Sequence, residues 1–262
     1  MDWASLLSDA IALASKVETA GAERRGLPKI GVVAQTTLIR QRRVAGAVLA
    51  LGPEFGYEAR ILVRTMLELH YNLAWMGLKR PNQRANRFVR FRAVEVLAML
   101  RDGAPALDPG KVKQAERRFR RMRRNSARLF RKVDSRGRRY WVKDWSDGAS
   151  FEQRLLAVLA VGKGPADPVD RYMYMMYRWF SGAAHGSPDS MEALVRRSGR
   201  SLSAKSSAEL SSPKSMQVAG FLLGSTSLLA ANFMKLAPDF RVALAAKYDA
   251  HLAAVMSEPP AA

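Results

Sequence analysis

The sequence predicts an all-α protein, a helical bundle of about eight helices, and three observations favour this class. Apolar residues recur at steps of three and four along most of the chain, which is the period of an amphipathic helix. No convincing run alternates β-branched and polar residues as a strand would. Short connections rich in Gly and Pro separate the periodic stretches, and such connections favour antiparallel neighbours in a bundle.

Proline and glycine set the order of the helices. Gly52-Pro53 separates the second helix from the third, because Pro stops one helix and is tolerated in the first turn of the next. Pro81 begins the fourth helix, Asp102-Gly103 ends it, and Pro238 is expected to break the last one. The predicted helices cover about 3–19, 29–51, 54–79, 81–102, 110–133, 150–162, 167–185 and 214–256.

Two segments differ from this pattern. Residues 134–149 mix turn formers with Tyr140, Trp141 and Trp145, which predicts a loop pinned by aromatic side chains. Residues 196–215 carry eight serines and predict a mobile loop, or a lid over a site. We expect the chain to form one all-α domain over 1–262.

The composition excludes several chemistries. The chain has no cysteine, so a disulfide framework, a thiol nucleophile and a Cys-based zinc site are excluded. The three histidines, His70, His185 and His251, are too far apart in the sequence to form a short-range metal motif. No phosphate-binding loop, dinucleotide fingerprint or nucleophile elbow is present. We therefore expect no metal and no cofactor.

The sequence favours a cytoplasmic location. It begins with MDWASLLSDA, which has an acid at Asp2 and lacks the basic start and long apolar run of a secretory signal. Residues 215–234 contain no charge, but five polar residues interrupt them. We expect this stretch to be a buried bundle helix and not a membrane span.

The positive charge is concentrated in one segment. The chain has a formal net charge of +20, and residues 111–143 hold fifteen Lys and Arg against two acidic residues. In the predicted helix 110–133 an apolar stripe recurs at steps of three and four, and arginines cover the rest of the circumference. One guanidinium group can donate two parallel hydrogen bonds to the oxygens of a phosphate, so the segment predicts nucleic-acid binding. The alternatives are that the arginines form a solvated face or that they bind an anionic membrane surface. The predicted binding residues are Arg117, Arg118, Arg120, Arg121, Arg123, Arg124, Arg128 and Arg131.

The third helix carries a polar stripe at steps of three and four, enclosed by apolar residues. Its members are Tyr57, Arg60, Arg64, Glu68 and Asn72. Enclosed charges need partners, so Arg64 and Glu68 form either an internal ion pair or part of an active site. Arg60 and Arg64 would also suit a small anionic ligand such as a nucleotide.

The helix 167–185 places four polar residues on one face, namely Tyr174, Arg178, Ser181 and His185. Because His185 lies in the last turn, the helix dipole favours its protonated form. Arg178 lies two turns earlier and could hold a phosphate while His185 moves a proton. The alternative is that His185 caps the helix or bonds Ser181.

Several short motifs together resemble a family of bacterial proteins, the domain of unknown function 5677. They are Arg64-Thr-Met-Leu-Glu68, ANRFVRF at 85–91, Trp145-Ser146, and Tyr174-x6-Ser181-x3-His185-Gly186-Ser187. The resemblance covers roughly residues 35–190.

The segment Arg178-WFSGAA-His185 also resembles the Arg-x4–6-His signature of HEPN ribonucleases. That resemblance implies a HEPN-like helical bundle, a homodimer whose paired Arg and His residues meet, and metal-independent RNA cleavage by the 2′-hydroxyl. His185 would be the general acid or base, and Arg178 would stabilise the phosphorane. Ser181, Arg64 and Glu68 complete the predicted catalytic set.

The resulting hypothesis is a HEPN-like protein that acts on RNA, as a metal-independent endoribonuclease of toxin or phage-defence type with a corresponding antitoxin or defence partner. The alternative is a non-catalytic nucleic-acid-binding module in which Ser181, His185, Arg64 and Glu68 form a structural network. A receptor or enzyme for a small anion is the third reading.

Overall fold

The computed structural model describes residues 2–103, 109–142, 144–146, 148–161, 168–185, 195–198, 201–205 and 213–257. Helices dominate these residues, and the predicted all-α helical bundle is confirmed. A single 3-10 turn at Pro53–Phe55 precedes the third helix. The α-helices are α1 (Trp3–Ala22), α2 (Lys29–Leu51), α3 (Ala59–Leu78), α4 (Pro81–Gly103), α5 (Pro109–Asn125), α6 (Ala127–Phe130), α7 (Phe151–Leu159), α8 (Pro168–His185), α9 (Lys214–Phe233) and α10 (Pro238–Ser257).

Local sequence signals set several helix ends. The carboxylate of Asp2 accepts hydrogen bonds from the backbone N–H groups of Ala4 and Ser5, both at 3.1 Å, and so caps α1. Ser150 and Gln153 form a reciprocal capping box at the start of α7. The predicted break near Pro238 is confirmed, because α9 ends at Phe233 and α10 begins at Pro238.

Helix α9 is the central helix of the bundle. It packs against α1, α2, α3 and α10, and most of its side chains are buried, Leu222 and Leu223 completely. By length and composition α9 is apolar enough to cross a membrane, with a mean hydropathy of 1.2, but 72% of this window is buried inside the bundle. Within the described part of the chain it is a core helix, as predicted.

Two short hairpins correct the expectation of a chain without strands. Strand β1 (Arg131–Val133), at the end of the predicted helix 110–133, pairs antiparallel with β2 (Arg139–Trp141), which lies inside the segment 134–149 predicted to be a loop. Strand β3 (Val195–Ser198) pairs with β4 (Ser201–Ala204) inside the predicted serine-rich loop. Residues 199–200 and 206–212 of that loop lie outside the described residues. Strands of three or four residues are too short to show a readable alternation, so the pattern missed them.

The prediction of one continuous helix over 110–133 is also wrong, because the helix ends before residue 133. Helix α5 stops at Asn125, α6 is a single turn, and β1 follows. Phe130 is completely buried and meets Phe91 of α4 edge to face, with ring centroids 5.4 Å apart. Its carbonyl accepts a hydrogen bond of 2.9 Å from the Val142 backbone N–H, which ties the end of the segment to the chain after β2. This tertiary anchoring overrides the local helical periodicity.

Candidate functional sites

The first candidate site is a positively charged surface formed by α5, α6 and the β1–β2 hairpin. Helix α5 packs against α4, and its Phe119 side chain is half-buried. The two acidic residues on these elements are Glu116 and Asp134, which pair with Arg120 at 3.0 Å and Arg138 at 2.8 Å. The exposed arginines, hereafter the arginine-rich surface, are Arg117, Arg118, Arg120, Arg121, Arg124, Arg128, Arg131, Arg136, Arg138 and Arg139.

Arg123 is half-buried, whereas the other seven predicted binding arginines are exposed. Its guanidinium lies over the ring of Trp141, 4.7 Å from the centroid, so it joins α5 to the hairpin. The neighbouring Tyr140 lies on the face of β2 opposite to that of Trp141 and is 46% exposed. The hairpin therefore presents an aromatic ring among arginines.

The tip of the hairpin is held by Asp134. Its carboxylate accepts hydrogen bonds of 2.9 Å from the backbone N–H groups of Arg136 and Arg138. The bond from the Arg138 backbone is the main cause that lowers the pKa of Asp134. Gly137 supplies the left-handed backbone that the turn requires, with φ of 75°. The arginines of the hairpin are thus presented on an ordered turn.

The second candidate site lies where α3 meets α8 and the start of α9. Arg60 of α3 is about nine-tenths buried, and its guanidinium lies within cation–π distance of two aromatic rings. The distance from Cζ to the ring centroid is 3.8 Å for Trp179 of α8 and 4.5 Å for Tyr57. Burial lowers the pKa of Arg60, an effect that Tyr57 and Glu58 oppose.

The start of α9 adds further positive charge to this place. The Lys214 ammonium lies 6.0 Å from the centroid of the Trp179 ring. Burial, and then the positive charge of Arg60, lower the pKa of Lys214. The Ser215 hydroxyl donates a 2.5 Å hydrogen bond to the Gly56 carbonyl, which fixes the first turn of α9 beside the segment that leads into α3. We call Tyr57, Arg60, Trp179 and Lys214 the Arg60 site.

Further along α3, Arg64 and Glu68 form the ion pair that their spacing allows, with Nη2 and Oε1 3.1 Å apart. The Glu68 side chain is 41% exposed, so the predicted polar stripe is buried at Arg60 and open to solvent at Glu68. The expectation of an enclosed stripe is confirmed at Arg60, whereas the Glu68 side chain departs from it. Helix α8 covers α3 only over part of that face.

The predicted catalytic residues of α8 lie in different surroundings. Arg178 is exposed, and its pKa is raised first by a hydrogen bond with Tyr174 and then by the charges of Tyr174 and Glu152. The Tyr174 hydroxyl donates a 2.5 Å hydrogen bond to Glu152 of α7. The Ser181 hydroxyl is buried and has no hydrogen-bond partner among the described residues. His185 ends α8, but its side chain lies outside the described residues.

The structure therefore brings together part of the predicted catalytic set. Arg64 contacts Glu68 within α3, whereas Arg178 interacts with Tyr174 of its own helix and feels the charge of Glu152 on α7. Among the described residues no hydrogen bond or ion pair joins Arg178 to Arg64 or Glu68. In the same part of the chain, no three His, Asp or Glu side chains are grouped to hold a metal ion.

Other residues of the sequence motifs have structural roles. The Arg87 guanidinium donates a 2.5 Å hydrogen bond to the Trp145 carbonyl, and Phe88 meets the Trp145 ring edge to face. Arg154 of α7 is buried and donates to the Ser146 hydroxyl at 2.7 Å. The ANRFVRF and Trp145-Ser146 motifs thus pack the chain after β2 onto α4 and α7.

Sequence reasoning missed Trp179, Lys214 and Tyr140 as candidate site residues. Trp179 lies beside Arg178 on the predicted helix 167–185, and Lys214 lies where the predicted loop 196–215 meets the predicted helix 214–256, so neither position suggested a binding role. Both become relevant only because α8 and the start of α9 meet at Arg60. Tyr140 is recognisable only once β2 is known to be a strand.

The fold and these surfaces define a class: an all-α bundle whose arginine-rich surface stands apart from a buried cation site between α3, α8 and α9. The chain belongs to the Family of unknown function (DUF5677), whose family profile matches residues 33–202, from α2 to β4. The predicted resemblance to this family is confirmed. Neither curated proteins nor solved structures give a match to the chain.

Proposed function

We propose that this protein binds RNA through the arginine-rich surface. The observation that carries the proposal is the set of exposed guanidinium groups on α5, α6 and the hairpin, against two acidic residues on the same elements. Like charges at this density repel one another unless counterions or a polyanion neutralise them. Release of the counterions condensed on RNA provides a strong, sequence-independent driving force for such contacts.

The aromatic residues of the hairpin support RNA over double-stranded DNA. Tyr140 is exposed and lies opposite Lys132 in the hairpin, so an unpaired base could stack on its ring while basic residues of the hairpin contact phosphates. Unpaired bases are common in the loops and ends of RNA, and stacking on aromatic rings is a usual mode of RNA recognition. The proposed ligand is therefore single-stranded RNA.

The proposal predicts a specific loss of binding when α5 is neutralised. The variant R117Q/R118Q/R121Q/R124Q should bind a single-stranded RNA oligonucleotide more weakly, and its plot of log affinity against log salt should flatten. For single strands the slope falls by about 0.7 for each phosphate contact that is lost. Fluorescence anisotropy between about 50 and 200 mM salt measures both effects.

A matched control removes four exposed arginines elsewhere, in R24Q/R25Q/R40Q/R43Q. This variant has the same net charge as the first, so a general charge effect would weaken both variants equally. Equal binding by the two variants would rule out the arginine-rich surface as the RNA site. A Tyr140→Ala variant tests stacking, because it should weaken binding without changing the salt slope.

RNA cleavage is the second candidate function, and one observation favours it. Arg178 is exposed on the same helix as His185, and its guanidinium interacts with Tyr174, which is itself hydrogen-bonded to Glu152. A guanidinium held in this way is suited to stabilise the charge that develops on a phosphorane. The resemblance to HEPN ribonucleases assigns the proton transfer to His185.

The cleavage hypothesis predicts that purified protein cuts RNA in EDTA and leaves 2′,3′-cyclic phosphate ends. His185→Ala should abolish this cleavage, and Arg178→Ala should reduce it by about a hundredfold or more. RNA binding should be unchanged in both variants. Cleavage that persists in His185→Ala would reject the hypothesis, and binding without any cleavage would leave the RNA-binding proposal standing alone.

The remaining expectations also stay predictions. They are a homodimer, an antitoxin or defence-system partner, and a cytoplasmic location. Sedimentation at several protein concentrations tests the first of them.

A further inference from the structure

A cavity of about 470 Å³ lies between α1, α9 and α10, away from both candidate sites described above. Small-molecule sites fall between about 300 and 1,000 Å³, so the cavity has the size of such a site. None of its lining residues belongs to residues 33–202, the part of the chain that the family profile matches. A ligand of this cavity would therefore be recognised by the helices that flank the family segment.

The interior of the α1–α9–α10 cavity is mainly apolar. Leu6, Ala10 and Leu13 of α1 form one wall, and Gly220 and Gly224 of α9 form another. Because these two glycines carry no side chains, the backbone of α9 is itself part of the wall. An apolar chain or ring placed in the cavity would be removed from water, which favours binding.

The Tyr248 ring of α10 forms a third wall and is held in place by α9. A Cβ built at Gly224 would lie 2.7 Å from Cδ2 of this ring, and the Phe221 ring lies with its centroid 5.8 Å away. The Tyr248 hydroxyl is hydrogen-bonded to the side chain of Ser225. The wall is therefore formed before a ligand enters, which lowers the entropic cost of binding.

The charged residues of the cavity favour an anion. Lys16 of α1 and Lys247 of α10 line it from two different helices, and both are exposed. Among the described residues, neither ammonium group has a carboxylate within ion-pair distance. Asp9 also lines the cavity, but it lies seven positions before Lys16, about 10 Å along the axis of α1. The lining residues that the structure describes therefore carry a net positive charge.

We propose that the α1–α9–α10 cavity binds a small amphipathic anion, which is an apolar chain or ring with one acidic group. Lys16 and Lys247 would neutralise the acidic group, while the apolar body would lie against the wall of α1 and the Tyr248 ring. A second acidic group on the ligand would meet either Asp9 or the apolar walls, and both are unfavourable for it. The site should therefore prefer a monoacid to a diacid. This inference goes beyond the RNA-binding proposal, because its residues lie on α1, α9 and α10.

The test is a calorimetric titration of the full chain with octanoate, a monoacid with an apolar chain. Octanedioate and 1-octanol are the two comparison ligands, because the first adds a second acid and the second removes the charge. We expect saturable binding of octanoate and weaker binding of both comparison ligands. Asp9→Asn should bring the affinity for octanedioate closer to that for octanoate.

Two substitutions test the lysines. Lys16→Gln/Lys247→Gln should weaken octanoate binding about fivefold or more, because both partners of the acidic group are removed. Both lysines are exposed, so the variant should fold as the wild type does. Lys79→Gln/Lys113→Gln removes two exposed lysines elsewhere and should bind octanoate as the wild type does.

A steric variant tests the cavity itself. Ala12 is exposed and lines the cavity, so Ala12→Phe should fill it and abolish octanoate binding. Ser8→Phe is the matched control, because Ser8 is an exposed residue of α1 that does not line the cavity.

The absence of saturable octanoate binding to the wild type would overturn the proposal. So would equal affinity for octanoate and 1-octanol, unchanged affinity in Lys16→Gln/Lys247→Gln, or full binding by Ala12→Phe. Sedimentation tests whether a second copy of the chain occupies the cavity instead. If Ala12→Phe dissociates an oligomer that Ser8→Phe leaves intact, the cavity is an interface between copies and the proposal is wrong.

Discussion

His70 of α3 is a buried histidine in a core that otherwise consists mainly of apolar side chains. Its Nδ1 lies 3.0 Å from the hydroxyl of Thr226 on α9, and that hydroxyl also accepts a 3.2 Å hydrogen bond from Gln41 of α2. Gln41 donates a second bond, of 2.8 Å, to the Met66 carbonyl. This cluster joins three core helices through buried hydrogen bonds, with only Gln41 Oε1 lacking a partner among the described residues, so its role is structural.

Burial lowers the pKa of His70 to about 4, from an ordinary value of 6.5. Between these two pH values the unfolded chain binds a proton that the folded protein does not, so the free energy of unfolding rises with pH. Acidification from pH 6.5 to about 4 should therefore cost on the order of 3 kcal/mol of stability.

Urea unfolding at pH 7 and pH 5 measures this loss. His70→Gln keeps a hydrogen-bonding side chain but cannot be protonated, so its loss of stability over this range should be clearly smaller than that of wild type. The same pH dependence in both proteins would show that His70 is not the group responsible.

At the scale of the element, the packing of α10 against α9 depends on a close approach at Gly224. A Cβ built at this position would lie 2.7 Å from Cδ2 of the Tyr248 ring on α10. The Tyr248 ring also meets Phe221 of α9, with centroids 5.8 Å apart, and burial raises its pKa to about 12. A larger residue at Gly224 must therefore displace the Tyr248 ring or α10 as a whole.

We therefore expect Gly224→Ala to destabilise the protein by about 1–3 kcal/mol, despite the higher helix propensity of alanine. Gly46→Ala in α2 is the matched control, since a Cβ there meets nothing within 4 Å. The control should stabilise the protein by about 0.5–1 kcal/mol, because only the propensity gain remains. Chemical denaturation compares the two variants, and a stabilised Gly224→Ala would contradict the close contact.

The segment from α5 to β2 shows why element boundaries were hard to predict. Its apolar residues keep helical spacing beyond Asn125, yet the helix ends there. Phe130 must reach the core beside Phe91, and the chain must return to place Trp141 under Arg123. These contacts involve residues distant in sequence or on other elements, so local periodicity cannot contain them.

At the scale of the whole molecule, the most basic helix contributes no residue to the hydrophobic core. The buried residues form one hydrophobic cluster that draws on α1 to α4 and on α6 to α10. The most basic helix, α5, packs against α4 and the short α6. Exposed arginines of α5 are therefore expected to affect ligand binding and not stability, so the R117Q/R118Q/R121Q/R124Q variant should keep the wild-type Tm.

The sequence by itself determined the all-α class, the family and the helix order, because these depend on local periodicity, on Gly and Pro positions and on motif order. It also located the arginines of α5, since a cluster of like charges is visible in any fold. The sequence predicted fewer features of the two candidate functional sites. The Arg64–Glu68 pair follows from helical spacing, whereas the two short hairpins do not follow from any local pattern.

Only the tertiary structure decided that Arg60 is buried near the rings of Tyr57 and Trp179, and that Lys214 lies near the Trp179 ring. It also decided that the charge of Glu152 on α7 acts on Arg178. The physical reason is that a side chain's partners, and with them its solvation and charge balance, are set by which helices meet. Residues 60, 179 and 214 are far apart in the chain and acquire a common environment only where α3, α8 and α9 pack together.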